Sequence, residues 1–309
     1  MTALLAKIAR AKRPPFHTMS VAEARRTYDA AAEILEPPRA PLARVENLVI
    51  PATDGAQLPA RLYADSTDER PVLLYFHGGG FTIGGLETHD SLCRQIALRS
   101  GAAVLAVDYR LAPEHRFPTA VDDAWAAMRW LAAQAGTLGL DPARLAVGGD
   151  SAGGTLAAVC AIHARDLGLA LKAQLLITPG TTAHADTPSH HRYAHGHLLD
   201  AETIAWFFDH YIDRAQRRDW RFAPLEADDL DHVAPACIVM AECDPLFDEG
   251  IAYADRLRAA GVAVRLELYR GVTHDFIKLG RALPDAAMAQ AAIGAALRDA
   301  FDLPPATSS

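Results

Sequence analysis

The stretch Leu145-Ala146-Val147-Gly148-Gly149-Asp150-Ser151-Ala152-Gly153-Gly154 decides how this chain is read. Its first part is an apolar run that reads as a short buried strand. It is followed by Gly-x-Ser-x-Gly, from Gly149 to Gly153, where such a strand turns sharply into a helix. A turn of this kind holds the serine hydroxyl clear of the backbone at the top of a sheet. Small residues flank the serine because strand and helix pass too close for a larger side chain. Five residues are a short pattern, and its weight comes from its surroundings.

Working outward, Pro71-Val72-Leu73-Leu74-Tyr75-Phe76 reads as a buried strand running into His77-Gly78-Gly79-Gly80. A glycine run after a strand frees backbone N–H groups to point at a ligand. In acyl transfer such donors stabilise the oxyanion of a tetrahedral intermediate. Gly78 and Gly79, with Ala152 after the serine, are the expected donors. His77 is expected to anchor the loop. Downstream, Asp244 follows the apolar run Ile238-Val239-Met240-Ala241, and His274 follows the strand-like Val264 to Tyr269. Of the 13 histidines, His274 alone lies after Asp244. Three aspartates compete for the acid. Asp244 sits at a strand end, from which its side chain can reach a neighbouring loop. Asp248 falls near a helix start, where a cap or a contact supporting the site residues is the expected role, and Asp275, next to the histidine, is expected to point away from it. Ser151, Asp244 and His274 would form a nucleophile, acid and base.

The chain has 309 residues, half of them hydrophobic, enough for one large core. Its net charge of −8 argues against nucleic acid as a main partner. Cys93, Cys160, Cys237 and Cys243 have no metal-ligand spacing and read as free thiols of a reducing compartment. No run approaches the roughly 20 apolar residues of a membrane span. Lys7, Arg10, Lys12 and Arg13 stand among short apolar pieces without a signal-peptide core, and the cytoplasm is the expected location. A basic amphipathic helix there could touch a membrane surface, but packing over the active site is favoured.

Residues 1–36 look helical up to Pro37-Pro38, and Val45–Ile50 and Gln57–Tyr63 read as a hairpin joined at Asp54-Gly55. Strand-like stretches near 71–76, 103–107, 144–148, 172–178, 235–240 and 263–269 then alternate with helical ones near 88–100, 120–135, 153–167, 248–260 and 284–301. This alternation implies a mostly parallel sheet with helices on both faces and an antiparallel hairpin at one edge. Residues 181–233 are polar and hold one amphipathic helix, Asp200 to Ile212. That is too long for an ordinary connection. With residues 1–40 it is expected to form a cap on a single domain spanning 1–309. From that helix Trp206, Phe207 and Tyr211 are expected to line a substrate pocket, together with Phe81. Asp150 is expected to hydrogen-bond a nearby loop, and Tyr109, Arg110 and Glu114 to form one buried polar cluster. His184, His190, His191, His195 and His197 suit no standard zinc pattern, and no metal is expected.

Several of these segments resemble the hormone-sensitive-lipase family of bacterial carboxylesterases. They are His77-Gly78-Gly79-Gly80-Phe81, Asp108 to His115, Gly149 to Gly154, and Asp244-Pro245-Leu246 with Asp248-Glu249-Gly250. The resemblance covers most of the chain. It implies an α/β-hydrolase fold with a helical cap, no metal or organic cofactor, short- to medium-chain acyl esters as substrates, and frequently a homodimer formed through the last strand. Two positions depart from the family's pattern. Thr178 precedes Pro179-Gly180 where an aromatic residue is usual, and Asp275 stands where a small residue is usual. The leading expectation is a serine carboxylesterase working through a covalent acyl-enzyme. The same triad could cleave an amide, carbamate or aryl formamide. A non-catalytic ligand-binding receptor on the same fold is the reading of a different class, and the presence of His274 weighs against it.

Overall fold

The computed structural model describes residues 1–10 and 14–304. Lys12 and Arg13, part of the basic stretch noted above, lie outside the described residues. The N-terminal stretch that reads as helical holds two described helices. Helix α1 (Thr2–Arg10) is separated by Pro14-Pro15 from α2 (Val21–Leu35). Ser20 caps α2 reciprocally with Glu23: the Glu23 N–H donates to Ser20 Oγ and the Ser20 N–H to Glu23 Oε2.

Strands β1 (Arg44–Pro51) and β2 (Gln57–Ala64) form the antiparallel hairpin around Asp54-Gly55. Thereafter β3 (Arg70–Phe76), α3 (Leu86–Ser100), β4 (Ala103–Val107), α4 (Thr119–Gln134), β5 (Leu140–Asp150), α5 (Ala152–Asp166) and β6 (Ala173–Ile177) alternate. The polar stretch that follows contributes α6 (Pro188–Arg192) and α7 (Ala201–Tyr211). The chain closes with β7 (Ala236–Cys243), α8 (Phe247–Ala259), β8 (Val264–Thr273) and α9 (Pro284–Ala300).

The strands make one eight-stranded sheet in the order β1-β2-β4-β3-β5-β6-β7-β8. β1 and β2 are antiparallel to their neighbours, and the rest run parallel. The inner parallel strands β3, β4, β6 and β7 are apolar at nearly every position because helices cover both faces, while β8 at the edge carries Arg265, Glu267 and Arg270. Leu74, Phe76, Leu105 and Val107 face a core with Val121 of α4, Leu156 of α5 and Leu257 of α8. The intervening Leu73, Tyr75 and Val104 face Ile96 of α3 and Ile293 of α9. Burying each such large side chain is worth roughly 1.5–3 kcal/mol. The strand period of two thus divides one sequence between two cores. The shared parallel direction of these strands brings the loops after β3, β5, β7 and β8 to one end of the sheet, the carboxyl ends of the strands, where open α/β sheets form their functional crevice.

Candidate active site

Ser151 sits between β5 and α5 at φ 53, ψ −121, a backbone region that costs a residue with a Cβ. The surroundings hold it there. The Ser151 N–H donates to Ile177 O at 2.8 Å, and α5 begins at the next residue. The glycines on either side are required by contact rather than by torsion. A Cβ on Gly153 would overlap Phe76 O, and one on Gly149 would overlap the Gly153 backbone. Strand β3, the elbow and α5 are packed backbone to backbone.

His274, at the end of β8, presents its two ring nitrogens to two partners. Nε2 lies 2.9 Å from Ser151 Oγ, and Nδ1 lies 2.8 Å from Asp244 Oδ2. Asp244 is fully buried, and its other oxygen accepts the Leu246 N–H at 2.9 Å. Burial by itself opposes charging of His274. The charge of Asp244, its hydrogen bond and then the charge of Asp275 outweigh burial and raise the imidazole above its ordinary value. Asp248 accepts the Ser189 N–H at 2.7 Å and takes no part in this chain of contacts. Asp275 does not point away from the histidine: its Oδ1 lies 3.8 Å from His274 Nε2.

The glycine loop is turned by one residue relative to the sequence expectation. Gly78 N faces His89 Nε2 at 3.3 Å, and the side of Gly78 that would carry a Cβ is filled by the Asp150 carboxylate. Gly78 is therefore not on the cavity wall. Gly79, at φ 117, and Gly80 take that place beside Ala152. No acceptor within the described residues takes the N–H groups of Gly79, Gly80 or Ala152. The reason lies beneath the loop. Asp150 is buried, accepts the Tyr75 hydroxyl at 2.6 Å and approaches His89 Nε2 at 3.1 Å. Burial alone would raise the Asp150 carboxyl, but attraction to His89 and the hydrogen bonds from His89 and Tyr75 hold it below the ordinary range. His77 is pushed down to about 3 by burial first and then by His89, and its Nδ1–H donates to Gly78 O at 2.8 Å.

The segment after Asp108 does not form one polar cluster. Tyr109 donates to His77 O at 2.8 Å, while Arg110 pairs with Asp123 and Asp54. Glu114 reaches the surface and pairs with Arg25 of α2.

Ser151, Ala152, Gly79, Gly80, His274 and Asp275 open on a cavity of about 690 Å³. Leu4 and Ile8 of α1, Tyr28 and Leu35 of α2, and Ile204, Phe207 and Phe208 of α7 line it, with Phe81 and Phe222. Its wall is mostly apolar. Trp206 and Tyr211 are not part of that wall. Tyr211 is buried behind Phe81, the rings stacked 4.0 Å apart, and Trp206 packs against His210. The lining residues on α7 are those at 203, 204, 207 and 208, one helical face.

Sequence reasoning did not single out His89, Tyr28 or Lys278, and met Glu249 only as part of the segment Asp248-Glu249-Gly250. Tyr28 accepts from Lys278 Nζ at 2.9 Å. Buried Glu249 pairs with His190 at 3.2 Å and accepts the Thr181 and Thr182 N–H groups. His190 is thus committed to a carboxylate, and among the described residues no group of three or more His, Cys, Asp or Glu is arranged to hold a metal ion. No helix among them is long and apolar enough to cross a membrane.

A profile of the α/β hydrolase fold matches residues 73–278. The chain is 44% identical over 279 residues to an ethyl acetate hydrolase of Pseudomonas putida, covering 88% of each. It is 41% identical over 268 residues to the carboxylesterase NlhH of Mycobacterium tuberculosis, covering 84% of each. Among solved structures, a thermostable esterase from Pseudomonas putida matches with a TM-score of 0.93 at 35% identity, over 98% of this chain and 97% of that one.

Proposed function

The chain belongs to the α/β hydrolase family, and from that premise we propose that it is a serine carboxylesterase of the hormone-sensitive-lipase type, hydrolysing short- to medium-chain acyl esters through a covalent acyl-enzyme. The observation that carries this reading is the run of contacts Asp244–His274–Ser151, 2.8 and 2.9 Å long, ending on the wall of an apolar cavity.

The chemistry follows from these atoms. His274 Nε2 takes the Ser151 proton as Oγ attacks the ester carbonyl. Asp244 fixes the tautomer with the Nδ1 proton facing it and stabilises the imidazolium. The oxyanion is held by the N–H groups of Gly79, Gly80 and Ala152, each worth about 2.7–4 kcal/mol in the transition state. His274 then protonates the departing alcohol. Water repeats the sequence on the acyl-enzyme and releases the acid.

Residues 1–40 and 181–233 act as the cap: α1, α2 and α7 all supply cavity-lining side chains. The four free cysteines fit a cytoplasmic enzyme, and the acidic net charge fits a small-molecule ester rather than nucleic acid as partner. Strand β8 lies at the sheet edge with Leu268 exposed, which fits pairing with a second copy.

The test is hydrolysis of p-nitrophenyl esters from acetate to palmitate by the wild type and Ser151→Ala. Activity peaking at short or medium chains and lost in a folded Ser151→Ala supports the reading. A folded Ser151→Ala with unchanged activity overturns the nucleophile, and a maximum at palmitate overturns the chain length.

A further inference from the structure

We propose that Asp275 orients the water that deacylates the enzyme, and so directs the acyl group to water rather than to another alcohol. The inference rests on the acyl-enzyme reading above. Asp275 has φ 61, a left-handed conformation that Asp and Asn adopt at small cost. This conformation turns its carboxylate toward Nε2 of the preceding histidine, with Oδ1 3.8 Å away. The side chain is partly exposed and lines the cavity. Among the described residues no donor hydrogen-bonds to this carboxylate, whereas the other two carboxylates of the site, Asp150 and Asp244, are both hydrogen-bonded.

A separation of 3.8 Å is too long for a hydrogen bond and suits one oxygen lying between the two groups. Two bonds of about 2.8 Å meet at such a point. In the free enzyme Nε2 is engaged with Ser151 Oγ. Once Oγ is acylated, Nε2 becomes free to accept from a water. One O–H of that water points to Nε2 and the other to Asp275 Oδ1, which leaves an oxygen lone pair for the acyl carbon. As the water oxygen bonds to that carbon, its first proton passes to Nε2. The carbon–Oγ bond then breaks and Oγ takes the proton back. The second proton stays on the new acid, which ionises in solution. An alcohol has a single O–H, and it must go to Nε2. Its carbon substituent then faces a carboxylate that can bond only a donor. Asp275 therefore favours water by chemistry as well as by position.

The test is the partition of the acyl-enzyme between water and methanol. With p-nitrophenyl acetate and added methanol, the ratio of methyl acetate to acetate is measured for the wild type, Asp275→Gly and Asp275→Asn. Both substitutions suit the left-handed backbone. A change in histidine basicity alone moves both products together, because both routes use the same base. The ratio is expected to rise about tenfold in Asp275→Gly, the scale of one hydrogen bond to a charged acceptor, and to stay within about threefold of wild type in Asp275→Asn, which keeps an acceptor oxygen. An unmoved ratio in Asp275→Gly overturns the proposal, as does a shift in Asp275→Asn equal to that of Asp275→Gly. Mass spectrometry of wild type quenched during turnover separates the two layers. An acetyl adduct on the Ser151 peptide with an unmoved ratio removes only the role of Asp275. Absence of any adduct, together with a methyl acetate to acetate ratio that changes when phenyl acetate replaces p-nitrophenyl acetate, removes the acyl-enzyme itself.

Discussion

The ring of Tyr109 lies flat on that of His77, centroids 4.4 Å apart and planes 12° from parallel, and its hydroxyl donates to the His77 carbonyl at 2.8 Å. One residue on the β4 loop thus fixes both the side chain and the backbone at the root of the glycine loop. Tyr109→Phe keeps the stack and removes the hydrogen bond, leaving a buried carbonyl short of a partner. We expect a stability loss of about 1–3 kcal/mol by urea denaturation. Wild-type stability would show that water or another donor satisfies that carbonyl.

The elbow is predicted to reject a single methyl group. In Gly153→Ala the new Cβ overlaps Phe76 O and meets His77 O, backbone atoms where strand β3 passes into the glycine loop. Strand and helix must separate to admit it. The expected result is a loss of about 3 kcal/mol or more, with esterase activity falling further than stability. A variant with the wild-type denaturation midpoint would mean the elbow is not packed as described.

The pH dependence follows from the base. On the proposed mechanism His274 must be neutral to accept the Ser151 proton, and the carboxylates of Asp244 and Asp275 outweigh burial to favour its charged form above the ordinary 6.5. The kcat/KM profile is therefore expected to rise with pH to a midpoint above 6.5. Asp275→Asn lowers that midpoint by removing one carboxylate. The stability that the charged pair supplies has the opposite slope. It is complete below the unfolded value and is lost as pH rises through the folded one. A profile centred at or below 6.5 would contradict this electrostatic picture.

Chain-length preference is predicted to respond to Phe207. Its ring covers Gly80 and lines the cavity, so Phe207→Ala opens space directly beside the proposed oxyanion donors. The preferred p-nitrophenyl ester should lengthen, at a cost of about 3–5 kcal/mol in stability. Trp206→Ala, which alters a residue off the wall, should leave the preference where it is. Equal shifts in both variants would argue against Phe207 as the limiting contact.

Most of the fold was legible because the signals are local. Apolar runs of strand length, Gly-x-Ser-x-Gly, and the single histidine after Asp244 each say what they are without knowledge of distant residues. The paired readings that went astray depended on distant ones. Gly78 and Gly80 are chemically alike, and the choice of which faces the cavity with Gly79 is made by His89 and Asp150 beneath the loop, one of them on α3 with no motif around it. Four aromatics crowd α7, but only the contact of Tyr211 with Phe81 decides which of them turn inward. The departure of the Glu114–Arg25 pair from any buried cluster required knowing that α2 folds back over the loop after β4. Asp275 was expected to point away because neighbouring side chains usually diverge, and its left-handed backbone reverses that.

The staple between the acid loop and the segment after β6 bears on how this scaffold can be recombined. Ser189 donates to Pro245 O and to Asp248, and His190 meets Glu249, so the short helix α6 grips the turn that carries Asp244. A chimera that imports residues 181–233 from a relative inherits half of that grip and must match the other half. Grafts whose boundaries keep positions 187–190 native should retain turnover, while those that replace them should lose it even where the transplanted wall is well formed. The unit of exchange for evolving new specificities is thus smaller than the cap, and begins after residue 192.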